Sequence, residues 1–260
     1  ILRRAELGLG VPLTERTVGG AGGGGSRLTP EGERLFARYE AWRQASEASA
    51  RELYDACLAG VADVPSLGCV VMASGEARRF GRQKLVEPLV GMPVLERTLA
   101  AIPRDVYDVV VVTRSDEVAS LARDLGVDVR MHGGALQSDT LREGLDEMGD
   151  RAGCLFVPGD QPLVSEGSLR AMGEEYSRHP GSVVRLAWRG VARSPILFPR
   201  DLFPSLRAMT GDTGGSQLLR DRPELATCTR LVEASDEREL MDIDTVDDLR
   251  LVEQAVDDEG

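Results

Sequence analysis

Short apolar runs alternate with amphipathic stretches along most of the chain. From residue 67 onward, the runs rich in Val, Leu and Ile are LGCVVMAS, DVVVVT, VDVRMH, GCLFVPGD, SVVRLAW and PILFP. Stretches with helical spacing of apolar residues lie between them, such as SDEVASLARDLG and SEGSLRAMGEEYSRH. Continuous apolar strands that alternate with helices are typical of a parallel sheet covered on both faces. We therefore predict an α/β fold, with ligands bound at the carboxyl ends of the strands.

The first 60 residues follow a different pattern. A glycine-rich stretch, VGGAGGGGSRL, precedes a long helical pattern in which Thr29 is the expected N-cap and Pro30 the first helical residue. The stretch AGVADVPS is small, turn-prone and free of periodicity, so it reads as a linker. We predict two parts, one over residues 1–60 and a larger domain over residues 61–260.

Composition excludes several classes of protein. The net charge of −12 at pH 7 argues against non-specific binding to nucleic acid or anionic membranes, and no apolar run approaches the ~20 residues of a membrane helix. The chain start has no signal-peptide pattern and no initiator Met. Four widely spaced cysteines form no CxxC pair, and His132 and His179 stand alone in the sequence, so neither zinc binding nor histidine catalysis is indicated. We expect a cytoplasmic protein.

Positive charge is concentrated in one loop after the first strand of the larger domain. The stretch MASGEARRFGRQKL contains Lys84, the single lysine beside thirty arginines. Gly75 and Gly81 would let backbone N–H groups approach a phosphate, and Arg79 and Lys84 would add mobile charge. A glycine-rich turn after a strand is weak evidence alone, and it matches neither the GxGxxG nor the P-loop pattern.

Aspartates occur at two further places where the predicted elements end. Asp160 follows an apolar strand in VPGDQPLV, where it would either hold Mg²⁺ or cap a turn. In MDIDTVDDL, alternation places Asp242 and Asp244 on one side of a short strand before a helix capped at Thr245. Taken alone, the second pattern favours a solvated edge over a metal site.

The order of these motifs resembles the MobA-like nucleotidyltransferases. The chain has M-A-S-G-x-x-x-R-F-G-x-x-K, then G-D-Q-P, G-D-T-G and D-I-D-T, and the resemblance spans about residues 67 to 256. It is closest to the molybdenum cofactor cytidylyltransferase branch and implies a three-layer, Rossmann-like nucleotidyltransferase domain. Ser74 departs from the motif of both the cytidylyl and the guanylyl branch, so the choice of base stays open.

The resemblance implies a role for each motif residue. Arg79, Lys84 and Asp160 would be catalytic, with Arg79 and Lys84 on the phosphates. Mg²⁺ would bind Asp160 and Asp244, with Asp242 as a further ligand. The nucleotide would be contacted by a larger set: Met72, Ala73, Ser74, Gly75, Gly81, Lys84, Gln137 and Ser138.

The N-terminal part resembles something else. VPLTERTVGGAGGGGSRLTPEGERLFARY, over about residues 8 to 45, is similar to the wing and following helix of ModE-type winged-helix regulators. The recognition helix that should precede the wing is almost wholly absent from this stretch. Sequence-specific DNA binding is therefore expected only if an intact protein supplies that helix.

Together these resemblances imply transfer of CMP from CTP to the terminal phosphate of molybdopterin cofactor, with release of pyrophosphate and Mg²⁺ as cofactor. A molybdoenzyme or its chaperone would be the protein partner. The alternatives are use of GTP, another phosphate acceptor, or a molybdate-linked DNA-binding regulator fused to such a domain.

Overall fold

A computed structural model describes residues 6, 10–17, 25–58, 66–75, 80–212 and 214–257. The chain divides into two compact units, Ile1–Asp63 and Val64–Gly260. The smaller unit contains strands β1 (Thr14–Thr17) and β2 (Gly25–Leu28), followed by helix α1 (Pro30–Leu58). The two strands pair antiparallel, with Thr14 opposite Leu28. The Thr29 hydroxyl accepts a hydrogen bond from the Gly32 backbone N–H at 3.0 Å, so Thr29 caps α1 as predicted.

The larger unit is built on a seven-stranded sheet. Its strands are β3 (Leu67–Ala73), β6 (Tyr107–Thr113), β7 (Asp128–Met131), β8 (Gly153–Pro158), β9 (Val183–Trp188), β10 (Val191–Pro199) and β11 (Thr229–Glu233). A small antiparallel pair, β4 (Pro88–Leu89) and β5 (Met92–Pro93), lies outside this sheet.

The helices of the larger unit lie between the strands in sequence. They are α2 (Val94–Ala100), α3 (Asp116–Asp124), α4 (Gln137–Met148), α5 (Glu166–Arg178), α6 (Phe203–Arg207), α7 (Gly215–Asp221) and α8 (Val246–Asp257). Four short 3₁₀ segments accompany them, at Lys84–Val86, Arg200–Leu202, Pro223–Cys228 and Glu237–Leu240.

The sheet is mostly parallel, in the order β11-β9-β10-β8-β3-β6-β7. Only β10 runs antiparallel, to both β8 and β9. The predicted α/β fold with a mostly parallel sheet is therefore confirmed, although neither the antiparallel direction of β10 nor the strand β11 was predicted. Because β11 is an edge strand with no fully buried residue, its sequence carries little apolar signal.

Side chains alternate between the two faces of the sheet and pack in two apolar layers. On β3, Val71 packs in the layer that contains α2, α3, α5 and α8, whereas Val70 packs in the layer that contains α4, α6 and α7. Alternation of this kind requires apolar residues at successive positions, which explains the unbroken apolar runs of the central strands. The buried strands end at one edge, and the loops that follow β3, β6, β7 and β8 lie there together.

Candidate active site

Lys84 occupies the centre of the site, between two carboxylates. Its Nζ donates to Asp160 Oδ2 at 2.6 Å and to Asp244 Oδ1 at 2.9 Å. The Lys84 side chain is 8% exposed, while those of Asp160 and Asp244 are 23% and 53% exposed. The nearly buried ammonium and the two carboxylates that it contacts therefore come from three distant parts of the sequence.

Backbone contacts hold these parts together. Asp160 follows β8, and its carbonyl accepts a hydrogen bond from the Ile243 N–H at 3.0 Å. The Gly159 N–H donates to the Met72 carbonyl at 3.1 Å, which ties the loop after β8 to the end of β3. Main-chain hydrogen bonds thus fix the loop geometry, so the aspartate side chains are not needed to hold the loops in place.

The predicted short strand at residues 241–244 is wrong. These residues have no strand pairing, and the helix α8 begins directly after them. The Thr245 cap is confirmed, because the Asp248 N–H donates to Thr245 Oγ1 at 3.2 Å and Asp248 Oδ2 accepts from the Thr245 N–H at 2.7 Å. The backbone of Ile243 bonds to the Asp160 carbonyl, so it is anchored to the neighbouring loop rather than to a sheet partner.

The surroundings of the site shift the pKa values of Lys84 and Asp242. Burial is the largest influence on Lys84 and lowers its pKa, but Asp160 and Asp244 together outweigh burial, so the pKa of Lys84 lies above its usual value. Enclosure of the Asp242 carboxyl, and then the nearby charge of Asp160, raises the pKa of Asp242 to about 6. One ammonium therefore does not fully offset three neighbouring carboxylates.

The loop after β3 lies beside this cluster. Ala73 is buried, Ser74 is half-buried and Gly75 is exposed. Arg114 fastens the loop, since its Nε and Nη2 donate to the Ser74 carbonyl at 3.1 and 2.8 Å. Gly81 has a φ of +80°, in the left-handed region that favours glycine. The predicted phosphate contact Arg79 lies outside the described residues, whereas Arg82 pairs with Glu87.

His132 belongs to this edge of the sheet, which the sequence interpretation missed. Its Nε2 lies 2.8 Å from Ser74 Oγ and 3.3 Å from Thr140 Oγ1, and its buried Nδ1 has no hydrogen-bond partner among the described residues. Burial is the main cause of a lowered pKa for His132, so the imidazole is neutral at pH 7. Its position one residue after β7 was the available signal, because β7 ends at the same edge as β3.

Gln137 and Ser138 lie at the start of α4, against the G-D-T-G motif. The Ser138 N–H donates to the Gly211 carbonyl at 3.4 Å, and the Gln137 N–H donates to Asp212 Oδ1 at 3.4 Å. Ser138 is 1% exposed. The structure thus brings two sequence motifs together here, but none of the described contacts joins Gln137 or Ser138 to Lys84.

Within the described residues, no group of three or more His, Cys, Asp and Glu side chains has the spacing of a metal site. The paired oxygens of Asp160 and Asp244 nevertheless contact one cation, the Lys84 ammonium. Mg²⁺ commonly binds to one or two carboxylates together with substrate phosphates, so this donor set fits such an ion.

The lysine and the paired aspartates form a charged site at the carboxyl edge of a mostly parallel sheet, which is where open α/β sheets bind their ligands. Residues 69–228 match the family model described as the MobA-like NTP transferase domain. The chain belongs to this family and is a nucleotidyltransferase.

The chain is also similar to curated proteins and to solved structures. The purine catabolism protein PucB of Bacillus subtilis is 28% identical over 74% of this chain and 98% of its own length. A nucleotidyl transferase from Methanothermobacter is 26% identical, covers 75% of this chain and 99% of its own, and has a TM-score of 0.65. Rv0371c from Mycobacterium tuberculosis, solved in complex with manganese, is 23% identical over 73% of this chain and 99% of its own, with a TM-score of 0.58.

No helix in the described part of the chain combines the length and apolar character needed to cross a bilayer.

Proposed function

We propose that this nucleotidyltransferase transfers CMP from CTP to the terminal phosphate of a molybdopterin-type cofactor and releases pyrophosphate. The observation that carries the proposal is the Lys84 ammonium held between Asp160 and Asp244 at the carboxyl edge of the sheet. This group supplies positive charge and cation-binding oxygens at the position where ligands of parallel α/β sheets bind.

The reaction demands positioning and charge neutralisation more than proton transfer. A phosphate monoester has a second pKa near 6, so the attacking oxygen is already ionised at neutral pH. No general base is then required, which suits a site whose one nearby histidine, His132, hydrogen-bonds Ser74. An oxygen of the acceptor phosphate bonds to the α-phosphorus while the bond to the bridging oxygen breaks, and pyrophosphate leaves with that electron pair.

Each part of the site has a task in this scheme. Ser74, Gly75 and the left-handed turn at Gly81 would let backbone N–H groups approach the triphosphate. Lys84, with Arg79, would neutralise charge on the phosphates. Asp160 and Asp244, with Asp242 beside them, would hold Mg²⁺, which when bound supplies positive charge at the α-phosphate.

We place the choice between CTP and GTP at the contact between Ser74 and His132. A neutral imidazole offers one donor and one acceptor, and Ser74 uses one of its nitrogens. The Met72, Ala73 and Ser74 segment would then contact the nucleotide, with Gln137 and Ser138 near its base and ribose. Use of GTP is the second possibility that the experiment below decides.

The biological setting is part of the same proposal. The β1–β2 hairpin and α1 would be the wing and the following helix of a ModE-type winged-helix segment. This segment would cover residues 1–60, and the nucleotidyltransferase domain would cover residues 61–260. DNA would be a partner only where a recognition helix is also present. The reaction would take place in the cytoplasm, with a molybdoenzyme or its chaperone receiving the product.

A pyrophosphate-release assay tests the proposal. CTP, GTP and ATP are each supplied with and without molybdopterin cofactor and Mg²⁺, and we expect release that requires CTP, cofactor and metal together. Asp160→Asn should lower the rate by at least about 100-fold. Arg200→Gln is the matched control, because the Arg200 guanidinium pairs with Asp150 at the opposite edge of the sheet, and its replacement should leave the rate unchanged. Absence of pyrophosphate release with all three nucleotides would refute the proposal, and a preference for GTP would reassign the donor.

A further inference from the structure

Beside the Lys84 cluster lies a pocket of about 420 Å³. Its polar lining residues are Gln161, Asp242, Arg185, Arg193, Arg220, Ser194 and Ser216. Arg185 comes from β9, Arg193 from β10 and Arg220 from α7. Three cationic side chains from separate elements therefore converge on one recess.

These arginines lack the carboxylate partners that other arginines of this acidic chain have. Arg170 pairs with Asp105, and Arg207 pairs with Asp146. In the described part of the chain, by contrast, no ion pair joins Arg185 or Arg193 to a carboxylate. Arg220 donates to the neutral Gln217 Oε1, at 3.1 Å through Nε and 2.7 Å through Nη2. With three arginines and the one carboxylate of Asp242 among its described lining residues, the pocket thus carries net positive charge.

The arginines also disfavour one another. Burial is the largest cause of a lowered pKa for Arg185, and the charges of Arg220 and Arg193 lower it further. The buried Arg185 Nε has no hydrogen-bond partner among the described residues. A buried, unpaired guanidinium donor is costly unless an anion satisfies it. A guanidinium fork matches the oxygens of a phosphate particularly well.

Gln161 links the lining of the pocket to the reaction site. This side chain is 2% exposed, hydrogen-bonds to Asp242, and has a buried Oε1 with no partner among the described residues. Gln161 directly follows Asp160, which contacts Lys84 at 2.6 Å. An anion bound by the arginines would therefore lie next to the carboxylates where the α-phosphate of the nucleotide is expected.

We propose that Arg185, Arg193 and Arg220 form the acceptor subsite and bind the phosphate monoester that attacks the nucleotide. This inference rests on the proposed function and adds the residues that recognise the second substrate. Ser194 and Ser216 can donate hydrogen bonds to the same phosphate oxygens. The arginines lower the repulsion between the acceptor phosphate and the triphosphate, and they leave the attacking oxygen facing the α-phosphorus.

Binding of inorganic phosphate, measured by titration calorimetry without nucleotide or metal, tests the subsite directly. We expect Arg185→Gln and Arg220→Gln each to weaken phosphate binding about tenfold, since each removes a charge-assisted hydrogen bond. Arg230→Gln is the matched control: Arg230 is an exposed arginine on the adjacent strand β11 that does not line the pocket. Its phosphate affinity should stay within twofold of the wild type. Unchanged binding in both pocket variants would overturn the inference.

Kinetics with the full chain give a second readout. The pocket variants should raise KM for the phosphate acceptor about tenfold and leave KM for CTP unchanged. A rise in KM for CTP alone would show that the arginines bind the triphosphate, which contradicts the inference. Should Arg185→Gln fail to fold, the exposed Arg193→Gln provides the same test from the rim of the pocket.

The two proposals fail in different ways. Phosphate binding that depends on the arginines, without pyrophosphate release from any nucleotide, would refute the proposed function and keep the anion site. Transfer activity with an unchanged acceptor KM in the pocket variants would keep the function and refute the acceptor subsite.

Discussion

Replacing Lys84 by Met removes the ammonium from between Asp160 and Asp244 while keeping most of the side-chain length. In the wild type the ammonium lies 2.6 Å from Asp160 and 2.9 Å from Asp244, and the variant leaves both carboxylates without this cation. The nearby Asp242 also loses a neighbouring positive charge. We expect the free energy of unfolding to fall at pH 7.5 in the presence of a chelator. We also expect the variant to bind Mg²⁺ more tightly than the wild type, because the ammonium no longer competes for the same oxygens.

The magnitude follows from burial. Removing one partner of a buried ion pair costs about 3–5 kcal/mol. The Asp244 side chain is 53% exposed and stays partly hydrated, whereas that of Asp160 is 23% exposed. We therefore expect a loss near the lower limit, about 3 kcal/mol. Mg²⁺ at one hundred times its dissociation constant would return about 2.7 kcal/mol.

Chemical denaturation with and without Mg²⁺ measures both effects. Arg82→Met is the matched control, since Arg82 lies two residues away and is 64% exposed in its pair with Glu87. This control should lose less than about 1 kcal/mol and should gain no more stability from the metal than the wild type does. Equal stability of Lys84→Met and the wild type in chelator, or no added stabilisation by Mg²⁺, would refute the reasoning that Lys84 occupies a cation position.

Three further predictions concern other parts of the domain. Because the pKa of Asp242 is raised to about 6, turnover and Mg²⁺ affinity should fall as the pH falls through 6, and Asp242→Asn should remove that step. Ionised Asp242 also lowers the free energy of unfolding above pH 6. Thermal unfolding should therefore show Asp242→Asn to be more stable than the wild type at pH 8, and less so at pH 4. Ser74→Ala, which removes the 2.8 Å contact with His132, should change the ratio of kcat/KM for CTP and GTP about tenfold, and an unchanged ratio would remove Ser74 from base selection. Gly144→Ala should cost about 1–3 kcal/mol, because a Cβ there would lie 2.6 Å from a Val70 methyl group. In Gly167→Ala a Cβ meets only an atom at 3.9 Å, so this control should be neutral or slightly stabilising in denaturant unfolding, and equal losses in the two glycine variants would contradict the packing argument.

Much of the fold is readable from local patterns. The apolar runs predicted the β3, β6 and β8 strands, because a strand buried on both faces needs apolar residues at successive positions. The capping threonines at positions 29 and 245 were also predictable, since a cap depends on its own side chain and the next few residues.

What the patterns missed depends on contacts between distant residues. Lys84 and Asp244 are 160 positions apart, and no local spacing indicates that they bond. Alternation at Asp242 and Asp244 predicted a strand, but the backbone there pairs with the Asp160 loop instead. His132 looked isolated because its neighbour Ser74 is 58 residues away. The resemblance to a family indicated the order of the motifs, whereas the fold shows that these motifs lie together at the carboxyl edge of the sheet.

The measurement that tests the central claim most directly is transfer of label from CTP carrying a radioactive α-phosphate to molybdopterin cofactor. With Mg²⁺ present, we predict that the label appears in a cytosine dinucleotide form of the cofactor with the wild type and is reduced at least about 100-fold with Asp160→Asn. Label that stays in CTP or in free CMP under these conditions, or transfer at the wild-type rate by Asp160→Asn, would contradict the account.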